Sequence, residues 1–288
     1  MKKTLYLLLI VIPLIIGMSS CSDDDNKDQE IYELTFEKND YNVMNNFSRA
    51  IMIRGGNGHY TITTENAEIV EATYNPPINV GFGDIIVKGK KKGTTTLSIK
   101  DDITGETVKL NITVTDKYLN FSCENYELTV TGAQDYTTIV REDMDRNSPM
   151  KGGYFLSLIN NADKTLYIFK TTDDASEGGY LYKGEYEFIK GDETTPPHLK
   201  IYYTDNNVDK SMTYSMEGSS AIAIINSFME LGWSKSKSTE SASLYLKLTG
   251  DYTAYYQQSY PSLIEATTSM TTRIHSFYTV ELPVGLVK

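Results

Sequence analysis

Residues 93–115 read Gly-Thr-Thr-Thr-Leu-Ser-Ile-Lys-Asp-Asp-Ile-Thr-Gly-Glu-Thr-Val-Lys-Leu-Asn-Ile-Thr-Val-Thr. Two segments rich in Thr, Val and Ile, Gly93–Lys100 and Val108–Thr115, flank a polar stretch at Asp101–Gly105. Segments of this length and composition, bounded by turn residues, are typical of β-strands. The stretch therefore predicts two strands joined by a tight turn.

The same pattern extends over residues 31–116. Asn57-Gly58 lies between two strand-like segments, and this dipeptide is the strongest short hairpin signal. About seven short strands separated by turns predict an immunoglobulin-like β-sandwich. The five further predicted strands are Tyr32–Phe36, Arg49–Arg54, His59–Thr64, Ile69–Tyr74 and Gly83–Lys88.

Four segments of this region carry a resemblance to a known family: Asn57–Ile62, Ile85–Gly89, Gly93–Ile99 and Leu110–Val114. Together they resemble the bacterial immunoglobulin-like group 2 repeats, which are spacer and adhesion modules of cell-surface proteins. The shared motifs are turns and strands rather than reactive residues. The resemblance therefore implies a fold and a cell-surface setting, and no activity.

Residues 1–20 have the layout of a secretory signal peptide. Lys2 and Lys3 precede the apolar stretch Leu5–Ile16, and small residues follow it. The apolar stretch is short for a transmembrane span, although a membrane anchor or a buried helix is the alternative interpretation.

Cys21 follows this stretch directly. Met18–Cys21 resembles a bacterial lipobox, with Met18 in the place of the more usual leucine. The resemblance implies cleavage before Cys21, lipidation of its sulfur and new N-terminus, and attachment to a membrane. A disulfide with Cys123 is the competing interpretation, and it would leave no thiol for lipid.

Residues 21–30 form a tether that is rich in aspartate and contains no large apolar residue. Such a segment cannot bury a core, so we expect a solvated spacer. It also looks like the acidic signal that follows the lipidated cysteine in surface-exposed lipoproteins of the Bacteroidetes. That resemblance implies an outer-membrane protein that faces the exterior.

Composition excludes several classes of function. The net charge of −11 argues against nucleic-acid binding, which needs a basic surface. Two cysteines exclude a disulfide framework or a cysteine-rich metal site, and three histidines offer little for metal chemistry. We therefore expect no metal and no cofactor.

Residues 117–288 differ from the preceding region, since 17 of the 22 tyrosines lie there. Ser219 or Ser220 is positioned to cap a helix over Ala221–Leu231, and Asp251 to cap a second over Tyr252–Gln258. The region as a whole predicts a larger antiparallel β domain with one or two short helices. Its predicted strands are Glu127–Thr131, Thr137–Arg141, Tyr154–Ile159, Thr165–Lys170, Tyr180–Ile189, His198–Tyr203, Met212–Met216, Ser243–Leu248 and Ile274–Leu282.

No catalytic motif is present, and we predict no catalytic residue. Asp143–Asn147 spaces oxygen ligands like a calcium loop, but it lacks the glycine and the final glutamate of such a loop, which favours a polar turn. A glycosidase needs two facing carboxylates, which spacing alone cannot establish. The available acids are Glu142, Asp173, Asp174, Glu177, Asp192 and Glu193.

Aromatic residues are the best candidates for ligand binding, because exposed rings suit sugars and protein partners. The candidates are Trp233, Tyr252, Tyr255, Tyr256 and Tyr260. Packing in a core is the alternative for the tyrosines, which are common in strands.

These features predict a non-catalytic surface lipoprotein that presents a glycan- or protein-binding domain on an Ig-like stalk. The first alternative is a polysaccharide hydrolase that uses a carboxylate pair. The second is a structural or fimbrial-type assembly component, for which the terminal segment Leu282–Val287 would supply an exposed strand.

Overall fold

A computed structural model describes residues 30–233, 245–261, 268–276 and 280–287. The predicted signal peptide, the lipidation site Cys21 and the tether up to Gln29 lie outside these ranges. The described chain is mostly β and forms two units, one on each side of Asp116. No helix of the described ranges combines the length and the apolar character needed to cross a membrane.

The N-terminal unit consists of two four-stranded sheets, ordered β1-β3-β6-β5 and β2-β8-β7-β4. Each of the seven predicted strands overlaps an observed one, whereas β2 was missed because Asp40–Met44 carries two asparagine or aspartate residues among its five. The hairpin predicted at Asn57-Gly58 is wrong, because the strands before and after this turn belong to different sheets. The strands are β1 (Thr35–Phe36), β2 (Asp40–Met44), β3 (Ser48–Gly55), β4 (Tyr60–Thr64), β5 (Val70–Asn75), β6 (Asp84–Gly89), β7 (Gly93–Asp101) and β8 (Thr107–Thr115).

Successive side chains of each strand point to opposite faces of its sheet, which explains how the two sheets share a core. Ile51 and Ile53 of β3 point inward and are almost fully buried, as are Leu97 and Ile99 of β7 on the other sheet. Each such side chain contributes roughly 1.5–3 kcal/mol relative to an exposed one. The apolar faces of both sheets therefore form one cluster.

The C-terminal unit is a closed eight-stranded antiparallel barrel, in which each strand pairs with the next and β16 pairs with β9. Four helices of the described chain, rather than the one or two predicted, occupy connections between its strands. The strands are β9 (Tyr118–Val130), β10 (Phe155–Ile159), β11 (Thr165–Phe169), β12 (Tyr182–Ile189), β13 (His198–Asp205), β14 (Val208–Glu217), β15 (Leu246–Asp251) and β16 (Thr268–Ser276). The helices are α1 (Gln134–Asn147), α2 (Thr172–Glu177), α3 (Ser219–Phe228) and α4 (Thr253–Ser259).

The helices divide between the two ends of the barrel. At one end, which we call the α3 end, β12 is joined to β13 by residues 190–197, and α3 follows β14. At the other, the α1 end, α1, α2 and α4 connect strands. Successive strands run in opposite directions, so this assignment follows from topology alone.

Side chains fill the barrel. Leu158, Ile168, Ile201, Tyr214 and Leu248 come from five strands and are fully buried in one cluster. Tyr182 and Tyr186 of β12 both pack against this cluster, as their two-residue periodicity indicates. Between them lies Gly184, where a Cβ would stand 1.8 Å from the carbonyl oxygen of Tyr202. Glycine therefore allows β12 to approach β13 this closely.

Two predictions for this region are wrong. Thr137–Arg141 is not a strand but part of α1, because Val140 and Met144 are four residues apart and face the core together. The β-branched residues of this segment gave a false strand signal. Asp143–Asn147, interpreted as a turn between strands, is the last turn of the same helix.

The helix and strand boundaries also differ from prediction. The N-cap of α3 is Gly218 rather than Ser219 or Ser220. The predicted second helix is confirmed as α4, but its N-cap is Tyr252 rather than Asp251, although Asp251 accepts a hydrogen bond from the Thr253 amide at 2.9 Å. The predicted strand Ile274–Leu282 overlaps β16 at its first three residues, and residues 280–282 at its other end are not in a strand.

Residues 280–287 dock against the outside of the barrel and contact both units. Leu282 and Val287 are fully buried beside Phe155 and Phe169. Glu281 forms ion pairs with Lys38 at 2.8 Å and with Arg49 at 3.0 Å. The segment is irregular rather than an unpaired strand, so the feature on which the assembly hypothesis depended is not observed among the described residues.

Candidate binding groove

An open groove of about 1620 Å³ lies at the α3 end of the barrel. One wall is the 190–197 loop, and a second is the solvent-facing side of α3. The ends of β14 and β15 and the ring of Trp233 complete the lining. Trp233 is therefore the one aromatic candidate from the sequence that this groove contains.

The 190–197 loop is built to hold its shape. Asp192 Oδ1 accepts hydrogen bonds from the amide and hydroxyl of Thr194 and from the Thr195 amide, at 2.8–2.9 Å. These bonds lower the pKa of Asp192, which stays ionised. A Cβ at position 191 would stand 2.3 Å from the carbonyl oxygen of Thr195, so only glycine fits. The wall is therefore preformed.

Trp233 is fixed by its backbone. The Asn226 side chain of α3 accepts a hydrogen bond from the Trp233 amide at 2.9 Å and donates one to its carbonyl at 3.0 Å. Helix α3 ends at Phe228 with Met229 as its C-cap, three residues before the predicted end at Leu231, so Gly232 is not its stop. Beyond the helix, Glu230 and Gly232 adopt left-handed conformations. The half-buried indole meets Phe188 edge to face at 6.3 Å. These contacts set the orientation of the indole ring in the groove.

Charged side chains cross the outer wall of the groove on adjacent strands. Glu217 of β14 lies opposite Lys247 of β15, which lies opposite Arg273 of β16. Lys247 forms an exposed ion pair with Glu217 at 3.3 Å. Lys190 on the loop adds a third cation to the described part of the lining, whose four acids are Glu124, Asp192, Glu193 and Glu217. The positive and negative charges of the groove nearly balance, which suits a ligand without a strong net charge.

The predicted tyrosine cluster lies at the opposite end of the barrel, on and beside α4. Tyr256 is buried and donates a hydrogen bond to Asp143 Oδ2 at 2.6 Å, and Tyr260 stacks on it at 6.4 Å. Tyr252 directs its hydroxyl to the sulfur of Met212 at 3.4 Å. Only Tyr255 is largely exposed, at 61%. The structure thus does not bring these tyrosines together with Trp233.

Tyr245 is the aromatic lining residue that sequence reasoning missed. It immediately precedes β15, is 48% exposed, and lies in the groove with Trp233. The predicted strand Ser243–Leu248 included it, but strand periodicity does not show which tyrosine stands at a barrel rim. Its position depends on the closure of the barrel, for which the sequence carries no local signal.

The candidate carboxylates are dispersed. Glu142 lies on α1, and Asp173, Asp174 and Glu177 lie on α2, all at the α1 end. Only Asp192 and Glu193 line the groove, on one loop. Among the described residues, no group of three or more His, Cys, Asp or Glu side chains is arranged to hold a metal ion.

Cys123 offers no nucleophile in the described structure. It is a free thiol within the barrel core, 1% exposed. Burial raises the pKa of this thiol to about 12, so it is protonated at neutral pH. A buried, protonated thiol behaves as a small apolar side chain.

Comparison with known proteins does not identify a family for this chain. No protein-family model matches the chain, and no curated protein matches it. Domains 4 and 5 of the S-layer protein SbsC align with 28% of this chain and 50% of their own, at 19% identity and a TM-score of 0.23. Domains 5–6 align with 76% of this chain and 89% of their own, at 14% identity and a TM-score of 0.24. Scores this low carry no argument about fold or function.

Proposed function

We propose that this protein is a non-catalytic cell-surface lipoprotein whose barrel binds a neutral glycan in the groove at Trp233. The N-terminal unit serves as an Ig-like stalk, and lipid on Cys21 attaches the chain to the outer membrane. The observation that carries the proposal is the indole of Trp233, which its contacts with Asn226 and Phe188 hold in a large, preformed groove.

The chemistry of the groove suits a sugar. Trp233 and Tyr245 supply flat apolar surfaces, on which the C–H faces of pyranose rings stack. The hydroxyl groups of Ser227 and Thr194 lie in the same lining, and the oxygen of Thr194, which donates its proton to Asp192, can still accept a hydrogen bond from a ring hydroxyl. An apolar platform with a few polar groups around it is the usual design of a small-molecule site.

The state of two of the four groove acids, Asp192 and Glu217, favours binding without hydrolysis. Hydrolysis needs a general acid, whose pKa is raised, facing a second carboxylate. The pKa of Asp192 is instead lowered by the hydrogen bonds that hold its loop. Glu217 is paired with Lys247. These groups support charge balance and loop structure rather than proton transfer.

Affinity electrophoresis of the chain from Ser22 onward, through gels containing a panel of neutral polysaccharides, tests this proposal. We expect at least one polysaccharide to retard the protein, and Trp233→Ala to reduce that retardation at least tenfold, about 1.4 kcal/mol of binding free energy. Tyr255→Ala is the matched control, because Tyr255 is exposed at the opposite end of the barrel.

The outcomes separate the candidate functions. Equal loss of retardation in both variants would contradict the placement of the site. Retardation by no polysaccharide would contradict glycan binding and leave a protein partner as the better account. Shortening of a polysaccharide would instead support the hydrolase alternative.

A further inference from the structure

The end of the N-terminal unit that is remote from the barrel carries an unusual surface, which we call the N-terminal pole. It comprises residues 30–34, where the described chain begins, and the loops 56–59, 76–83 and 102–106. Strand β8 leads from this pole to the barrel, and its nine residues span about 30 Å. The pole and the Trp233 groove are therefore separate surfaces.

Apolar side chains concentrate at the N-terminal pole. Ile78 and Val80 at the tip of the 76–83 loop are 97% and 96% exposed. Ile31, Tyr32 and Ile103 beside them are also exposed. These five are close to half of the twelve large apolar residues that are exposed in the described ranges. Two fully exposed branched aliphatic residues on one loop are typical of an interaction surface.

The loop that carries Ile78 and Val80 is held in place. Its base is fixed by the Tyr74 hydroxyl, which donates to the carbonyl of Phe82 at 3.1 Å, and by the edge contact of Phe82 with Tyr32 at 6.0 Å. The carbonyl of Gly83 accepts from the Ile53 amide at 3.1 Å. Ile78 and Val80 are thus presented to solvent by a fixed base, and the loop does not fold back over the sheet.

We propose that the N-terminal pole rests on a lipid bilayer, into whose interface Ile78 and Val80 insert. The inference takes its setting from the proposed anchor. Cys21 precedes Glu30 by nine residues, which span at most about 30 Å. A lipid on Cys21 would therefore keep the bilayer within reach of the pole, where exposed aliphatic side chains gain by leaving water.

Charge specifies the kind of lipid surface. The segments of the pole contain no lysine or arginine, whereas Glu30, Glu33, Asp102 and Glu106 are acidic. Attraction to anionic headgroups requires basic residues, so the pole fits a zwitterionic surface and is repelled by an anionic one. Contact at this pole would hold the barrel away from the membrane by at least the length of β8, about 30 Å.

Vesicle flotation of the chain from Ser22 onward, which lacks Cys21 but contains every described residue, tests this proposal. We expect it to float with phosphatidylcholine vesicles, and less with vesicles that contain phosphatidylglycerol. Ile78→Asp combined with Val80→Asp should lower the partition coefficient at least tenfold. Val208→Asp is the matched control, because Val208 is 57% exposed at the start of β14 in the barrel.

Three results would overturn the proposal. They are failure of the unaltered chain to float, equal flotation of the double variant and the Val208 control, and stronger flotation with anionic vesicles. Sedimentation without lipid tests the alternative that the pole binds a second copy of the chain. Self-association that the double variant abolishes would support this alternative and contradict the membrane proposal. None of these results bears on the groove, so glycan binding stands or fails independently.

Discussion

Individual tyrosines of the barrel differ in role according to position, although they are close in sequence. Tyr255 and Tyr256 are neighbours on α4, yet one is 61% exposed and the other 3%. Burial, together with the hydrogen bond to Asp143, raises the pKa of Tyr256, which remains a neutral donor. At the residue scale, the side on which a helical residue lies decides whether an aromatic ring packs or is available to a partner.

Tyr256→Phe should lower the free energy of unfolding of the barrel by about 2 kcal/mol, because it removes a hydrogen bond to a charged acceptor and leaves Asp143 without that donor. Tyr255→Phe, one residue away on the exposed side, should change it by less than about 0.5 kcal/mol. Urea unfolding followed by circular dichroism measures both. Equal effects of the two substitutions would refute the packing role assigned to Tyr256.

Among the elements, the terminal segment 280–287 joins the two units. Burial alone would raise the pKa of Glu281, but hydrogen bonds from Arg49 and Lys38 outweigh it and lower that pKa. Glu281 therefore stabilises the folded state above its ordinary pKa of 4.5, and this stabilisation is lost as the pH falls through the lower folded-state value.

Glu281→Gln should accordingly destabilise the protein at pH 7 by about 1 kcal/mol, the usual scale for a partly exposed ion-pair network. Below pH 4 the difference between variant and parent should shrink, because the parent carboxylate is then becoming protonated. Glu185→Gln, on the exposed face of β12, is the control. Urea midpoints measured from pH 7 to below pH 4 test this prediction. A stability difference between Glu281→Gln and the parent that grows on acidification would contradict it.

The elements also show where sequence patterns suffice. Seven of the eight strands of the N-terminal unit were predictable, because turn residues and Thr, Val and Ile segments agree there, and only β2 was missed. The helix α1 was not predictable, because Thr137, Thr138 and Ile139 locally favour a strand. The segment is helical because a helix allows Val140 and Met144 to pack together against the barrel. The long strand β9 was recognised only at its last residues, since its first half contains asparagine and glutamate.

For the whole molecule, closure of the barrel is the property that could not be predicted from the sequence. Pairing of β16 with β9 joins residues about 150 positions apart. The periodicity of side chains within one segment does not indicate which distant strand it pairs with. Closure places Trp233 and α4 at opposite ends, so the five aromatic candidates do not form one site. Trp233 itself was predictable as a candidate because it is the single tryptophan, whereas its partner Tyr245 was not.

The fluorescence of that single tryptophan tests the central claim most directly, since every emission from indole reports on the groove. Titration of the chain with the polysaccharide that retards it should shift or quench Trp233 emission, with a half-saturation that agrees with the electrophoretic affinity. The exposed-face control Tyr255→Ala should give the same titration. A polysaccharide that binds with full affinity and leaves Trp233 emission unchanged would contradict the assignment of the groove.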